Sequence, residues 1–371
     1  MADVILVACG TRPELIRLAP TLLRLSEIYD LRILWTGQNS HKRLSSIFIE
    51  ELGLDELNWI MPDDNLLPMS AGQVPFVASV VSKVNELIER FRPSLFLVLG
   101  DTFSCLGALA AYLSDIRILH LESGNRCFDS SVPEEKNRVL IDRISFAHVV
   151  YSERARLNLI DEGIDRDKVF VFGSPLAETY EGILKKNPIP LFDTKLAAVV
   201  DRKFVLVSLH RFENTSEPDF VQSQLKEIDE FCGSFGLQCV LTAHPSMIQR
   251  TGLSVNDFVN VHFFEPFGLI DYLHLQRLAE FVVSDSGSVH EDALILGIKA
   301  INLRRRHERQ EISDLQATLH VATLDQEVLK RYYELDFDIE ALSDGSNLYS
   351  RGRDFSRRVA MLIFTILGDR H

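Results

Sequence analysis

What constrains this chain most is an alternation. Short apolar runs of strand length recur from end to end, separated by stretches whose apolar residues fall at helical spacing. The runs are Val4–Cys9, Leu31–Trp35, Leu95–Leu99, Ile116–Leu121, His148–Tyr151 and Val169–Phe172 in the first half. Phe204–Ser208, Gln238–Thr242, Val259–Phe264, Phe281–Ser284, Lys299–Leu303 and a weaker Leu319–Thr323 follow in the second. Between them lie amphipathic stretches such as Glu14–Ile28, Phe76–Phe91, Arg154–Glu162 and Pro218–Phe235. Strands that are apolar throughout have both faces covered, as in a parallel sheet with helical crossovers. The pattern occurs twice, divided by a polar stretch with Pro and Lys around Leu184–Lys203. The expectation is an α/β protein of two Rossmann-like doubly wound domains facing a cleft, residues 1–180 and 181–350. A helix over Asp354–Leu367 forms a third segment, 351–371, packing back on the first domain.

Composition narrows the class of function. With 46% hydrophobic and 25% charged residues in 371, the chain can bury ordinary cores. A net charge of −14 argues against sequence-independent nucleic-acid binding, yet local arginines and helix ends can still hold a phosphate. The five cysteines, Cys9, Cys105, Cys127, Cys232 and Cys239, have no zinc spacing and read as reduced thiols, so a cytoplasmic setting is expected. There is no signal-like or membrane-length apolar run, and membrane partners are not expected.

Chemistry-bearing residues fall just past the strands, where open α/β sheets bind ligands. The first run ends in Cys9-Gly-Thr-Arg-Pro-Glu-Leu-Ile-Arg17, where Gly10 would let the backbone turn and a phosphate would find backbone N–H groups with Arg12 and Arg17. The third ends in Leu99-Gly-Asp101, a carboxylate that is either a helix cap or aimed at the ligand edge. The fourth leads through His120-Leu-Glu122-Ser-Gly124 to Pro133-Glu134-Glu135-Lys-Asn-Arg138. That segment delivers Glu122 and Glu134 to one place, although Glu134 and Glu135 would also suit a helix start. In the second half His210 follows a strand directly, and could donate to phosphate or move a proton. His244, in Ala-His-Pro-Ser, is a weaker case of the same kind. Ser284-Asp-Ser286-Gly287-Ser288-Val-His-Glu291-Asp292 reads as a phosphate cradle with acidic residues one turn in, within reach of ribose hydroxyls. Arg304-Arg-Arg-His-Glu-Arg309 is a basic loop at the same sheet edge. There is no G-x-G-x-x-G, so no NAD is expected, and no metal motif or Walker A loop occurs.

Taken together, Gly-Thr-Arg-Pro-Glu14, Thr-Gly-Gln38, Gly-Asp-Thr102, His-Leu-Glu-Ser-Gly124, Pro-Glu-Glu-Lys-Asn-Arg138, His210-Arg, Ser-Asp-Ser-Gly287 and His-Glu-Arg309 resemble the non-hydrolysing UDP-N-acetylglucosamine 2-epimerases across nearly the whole chain. The segments Gly-Asn-Arg-Cys-Phe-Asp129 and Glu-Pro-Phe-Gly268 resemble a branch making UDP-N-acetyl-L-fucosamine from its talosamine epimer. The resemblance implies a glycosyltransferase-B-like fold and a homodimer. It also implies no cofactor, and a role in supplying surface-polysaccharide precursors. It places catalytic carboxylates at Asp101, Glu122 and Glu134, with His210 among the catalytic groups. Substrate contacts fall at Arg12, Arg17, Arg138, Ser286, Gly287, Ser288, Glu291, Asp292 and Arg309. Arg17 stands where many members have lysine, and Asp292 where the family has glutamate. The segment Thr-Gly-Gln-Asn-Ser-His41 lacks the Gln-His pairing of allosterically activated members, so such activation is not expected. Three other readings remain open on this fold: a UDP-sugar glycosyltransferase, a hydrolysing epimerase releasing N-acetylmannosamine, and a non-catalytic UDP-sugar sensor.

Overall fold

A computed structural model of the chain describes residues 3–38, 48–190, 192–304, 318–335 and 350–368. The chain divides into two compact units, Met1–Gly182 with Leu348–His371, and Ile183–Asn347.

The first unit opens with β1 (Val4–Cys9), α1 (Arg12–Ser26), β2 (Asp30–Trp35), β3 (Trp59–Ile60), α2 (Gln73–Phe91), β4 (Leu95–Leu99) and α3 (Ala108–Leu113). It continues through β5 (Arg117–Leu121), α4 (Pro133–Ile144), β6 (Ala147–Val150), α5 (Glu153–Asp161), β7 (Val169–Val171) and α6 (Leu176–Lys186). Among the described residues its strands form one parallel sheet in the order β3-β2-β1-β4-β5-β6-β7. The order reverses between β1 and β4, the switch point at which loops from neighbouring strands splay apart and leave room for a ligand. Both faces are covered, as the apolar runs require. Leu6, Ala8, Phe96 and Val98 join one cluster with Phe76, Val80 and Val84 of α2, while Ile5 and Val7 between them are equally buried.

The second unit contains α7 (Thr194–Val200), β8 (Phe204–Ser208), α8 (Pro218–Phe235), β9 (Gln238–Thr242), β10 (Val261–Phe264), α9 (Leu269–Leu278), β11 (Phe281–Ser284), α10 (Val289–Leu296), β12 (Ala300–Leu303), β13 (Thr318–Val321) and α11 (Gln326–Glu334). Its described strands run parallel in the order β10-β9-β8-β11-β12-β13, with the switch point between β8 and β11. Alternation again feeds two layers. Val205 and Val207 face Val221, Leu225 and Phe231 of α8, whereas Phe204 and Leu206 belong to the cluster with Leu196 and Val199. Helix α7 therefore lies inside the polar stretch expected to separate the domains. Its burial rests on those two residues at i and i+3 with Val200 partly buried beside them, and Asp193 caps at 2.8 Å from the Leu196 N–H.

The last helix, α12 (Phe355–Gly368), belongs to the first unit and packs on α1. Ser356 donates through its N–H and hydroxyl to Glu178. Arg358 donates to the carbonyls of Val171 and Phe172, with its guanidinium 4.1 Å from the Phe172 ring centroid. Phe355 meets Tyr151 and Phe172 edge-on. No helix among the described residues is long and apolar enough to cross a membrane.

Candidate active site

In the first unit the turns after β1, β4 and β5 share one edge. Glu122 leaves β5 with φ at 66°, a left-handed conformation costing a non-glycine residue about 1–2 kcal/mol. A bulky charged residue keeps such a backbone only where its surroundings over-determine it, as at sites of function. Its Oε2 lies 3.6 Å from Nε of Arg17 and accepts from the Tyr151 hydroxyl at 3.2 Å. A Cβ on Gly100 would come within 3.7 Å of that same oxygen, so Glu122 lies against the turn that carries Asp101. Asp101 accepts from Arg138 through Nε at 2.9 Å and again through Nη2. Arg138 also pairs with Glu135 at 2.9 Å, one turn earlier on α4, and Asn137 donates to the Asp101 carbonyl at 2.9 Å. Asp101, Glu122, Arg17 and Arg138 are thus assembled. Glu134 is exposed in the first turn of α4, whereas its neighbour Glu135 is buried and accepts from the Cys127 and Phe128 N–H groups.

The start of α1 departs from the sequence reading. The N–H groups of Gly10 and Thr11 do not face outward for a phosphate. Both donate to Oε2 of Glu14, at 3.0 and 2.8 Å, and the Thr11 and Thr102 hydroxyls donate to the same carboxylate. Burial pushes the Glu14 carboxyl up, and these hydrogen bonds oppose the shift. Gly10 is needed for space rather than for a turn, since a Cβ there would lie 2.0 Å from the Thr36 hydroxyl. Arg12, half-buried, stacks on Phe48 at 5.3 Å.

In the second unit the turns after β8 and β11 meet on Asp285, which is completely buried. Its carboxylate accepts from the N–H groups of His210 and Arg211 at 3.0 Å each and from Asn214 at 3.0 Å. The His210 ring stays exposed with Nδ1 3.2 Å from Asp285. After β11 the Ser286 and Ser288 hydroxyls are 3.0 Å apart, and Ser286 accepts from the Ser288 N–H at 3.3 Å at the start of α10. Asn302 on β12 donates to the Ser286 carbonyl at 2.9 Å, so three strand ends define this loop. Glu291 and Asp292 are both buried, and Gln276 donates to Asp292 at 3.0 Å. Arg309, His41 and the arginines after Arg304 fall outside the described residues.

Residues 23–363 match the family model described as UDP-N-acetylglucosamine 2-epimerase. The chain belongs to this family. The UDP-N-acetylglucosamine 2-epimerase of Methanocaldococcus jannaschii is 29% identical over 96% of this chain and 98% of its own length. The UDP-2,3-diacetamido-2,3-dideoxy-D-glucuronate 2-epimerase of Pseudomonas aeruginosa is 28% identical over 95% and 97%. Among solved structures, the Methanocaldococcus jannaschii UDP-GlcNAc 2-epimerase in complex with UDP-GlcNAc and UDP superposes with a TM-score of 0.77 at 27% identity, over 98% of this chain and 99% of that one. The two parallel-sheet domains, with helices on both faces of each sheet, are the glycosyltransferase-B-like fold of such epimerases.

Within this epimerase fold several residues that hold the candidate groups of each unit were not anticipated from the sequence. For Asp285 the sequence does carry a signal, an aspartate directly after a switch-point strand. Tyr151 and Asp142 had no such signal, because one follows β6, away from the switch point, and the other lies mid-helix. His120, Asp142 and His148 bring potential ligand atoms within 4.8 Å of one another. The set does not suit a metal ion. Arg126 already neutralises Asp142 at 2.8 Å, and both ring nitrogens of His120 are engaged.

Proposed function

We propose that this protein inverts C2 of a UDP-N-acetylhexosamine without net hydrolysis. Membership of the epimerase family supports the reaction class. The observation that carries the chemistry is the delivery of Asp101 and Glu122, each paired with an arginine, by the ends of adjacent strands β4 and β5.

C2 of such a sugar is not beside a carbonyl, so direct loss of its proton is very slow. Departure of UDP from C1 with the C1–O electron pair makes C1 cationic and acidifies C2–H. In the proposed route a carboxylate takes that proton, the C1–C2 double bond forms, and a 2-acetamidoglycal results. UDP then adds back at C1 while a second acid protonates C2 from the other face. Two faces need two groups, and Glu122 with Glu134 fill these roles, Asp101 being a third acid/base or orienting group. Arg17 and Arg138 provide counter-charge for the carboxylates. His210 and the Ser286-Gly287-Ser288 loop donate to the diphosphate, whose charge grows as it leaves. Arg12 and Arg309 supplement that grip, and Glu291 and Asp292 serve the ribose side.

The relative from Methanocaldococcus jannaschii was crystallised with UDP-GlcNAc and UDP, which supports a UDP-sugar as ligand. Substrate names differ among relatives of near-equal identity, so the hexose configuration is a separate proposal. We assign it to the L-talosamine/L-fucosamine pair on the Gly-Asn-Arg-Cys-Phe-Asp129 and Glu-Pro-Phe-Gly268 segments, in a cytoplasmic homodimer supplying polysaccharide precursors.

NMR of UDP-N-acetylhexosamines incubated with pure protein in deuterium oxide tests the whole reading. Deuterium at C2 of product and recovered intact UDP-sugar are expected. Free N-acetylmannosamine with UDP would mean the hydrolysing reaction, and acceptor-dependent UDP release a transferase. Glu122→Gln should lower turnover by about 10²–10⁴-fold, and a mild loss would remove Glu122 from proton transfer.

A further inference from the structure

The three acidic residues come from separate elements: Asp101 after β4, Glu122 after β5 and Glu134 on α4. What holds those elements together lies beneath them. His120 on β5 is fully buried. Its Nε2 is 2.8 Å from the carbonyl of Gly100, the residue before Asp101, and its Nδ1 is 2.8 Å from Oδ1 of Asp142 on α4. Through its own backbone the same residue leads, two positions on, to Glu122. One ring therefore bridges all three.

The partners specify the charge of that ring. A carbonyl oxygen only accepts, so Nε2 carries a hydrogen. The other oxygen of Asp142 lies 2.8 Å from the Arg126 guanidinium and accepts from the Gly124 N–H at 3.3 Å. Burial alone would raise the Asp142 carboxyl. The hydrogen bond from His120 and the Arg126 guanidinium beside its other oxygen bring it below the ordinary value. An ionised carboxylate also only accepts, so Nδ1 carries a hydrogen as well. Arg126 is bound in turn by Glu162 through two contacts of 2.7 Å, which leaves two buried cations against two carboxylates. His148, the neighbour of His120 across β5 and β6, is held neutral by burial, with a pKa of about 4.

We propose that His120 is a cationic positioning residue that sets the spacing between Asp101 and Glu122. It touches no reacting atom. Its lever is Gly100, which lies against the Glu122 carboxylate. Loss of the bridge lets the β4 turn shift relative to Glu122, and a displacement on the order of 1 Å costs about 10²-fold in rate. The catalytic consequence rests on the epimerase reading, whereas the charge of the ring does not.

Protein labelled with ¹⁵N at histidine tests the charge directly. Near pH 7 both ring nitrogens of His120, identified by their loss in His120→Gln, should each show a one-bond coupling to hydrogen. One protonated nitrogen overturns the proposal. In the kinetic arm, His120→Gln keeps a donor for Gly100 but removes the cation. With whichever UDP-N-acetylhexosamine the wild type turns over, kcat should fall about 10²-fold while KM moves less than about three-fold. Asp142→Asn should do the same, and near-wild-type kcat in both variants overturns the positioning role. A wild type inert on every such sugar would refute the epimerase reading and leave the NMR result to decide the ring.

Discussion

At single positions, function and stability are set by what surrounds a charge. Arg17 illustrates the first, since the residue expected among the substrate contacts lies 3.6 Å from the Glu122 carboxylate. His148 illustrates the second. Burial is the main cause of its fall from 6.5 to about 4, opposed by Asp142 and aided by His120, Arg126 and Lys168. Between those values the unfolded chain binds the proton and the folded chain does not, so stability is complete above about 6.5 and declines as pH drops toward 4. Asp142, also depressed, acts with the same sign at lower pH. Urea melts should therefore show the wild type losing about 2 kcal/mol more than His148→Gln between pH 7 and pH 5. Parallel loss in both proteins would mean that His148 is not the group responsible.

Among the elements, the turn after β5 is tightly constrained. Gly124 has φ of 77°, and a Cβ there would sit 2.3 Å from the Ala155 carbonyl of α5. Gly163 has a similar φ of 85° with nothing within 4 Å of the same atom. Gly163→Ala should cost only the left-handed backbone, about 1–2 kcal/mol, and Gly124→Ala that plus overpacking of about 1–3 kcal/mol. Thermal melts of the pair would separate strain from clash, and equal losses would show that α5 can move aside. In the second unit the same logic explains Asp285, where one buried carboxylate gathers the turn carrying His210 onto the end of β11. Three donors of that turn, the His210 and Arg211 N–H groups and the Asn214 amide, converge on the one carboxylate.

For the molecule, the proposed homodimer has a specific support. Leu109, Tyr112 and Leu113 on α3 and Val139 and Leu140 on α4 are exposed, on helices that pack together. Light scattering should give twice the mass of the 371-residue chain, and Leu113→Glu with Leu140→Glu should reduce it to one chain length. A wild-type monomer would refute the dimer without touching the reaction.

Much of this protein is local, and what is local was legible. Runs such as Val4–Cys9, Leu95–Leu99, Phe204–Ser208 and Phe281–Ser284 match the observed strands residue for residue, because burial on both faces demands unbroken apolar runs. The placement of Asp101, Glu122, His210 and Ser286 at strand ends follows from the same periodicity. Short elements escaped, as with Trp59–Ile60 and Thr194–Val200, which are too short to show a repeating period. Partnership escaped as well. That Arg138 grips Asp101 across 37 positions, and that His120 meets Asp142 across 22, depends on strands brought side by side. Hydrogen bonds act over about 3 Å, a range in which sequence separation has no meaning until the sheet is formed.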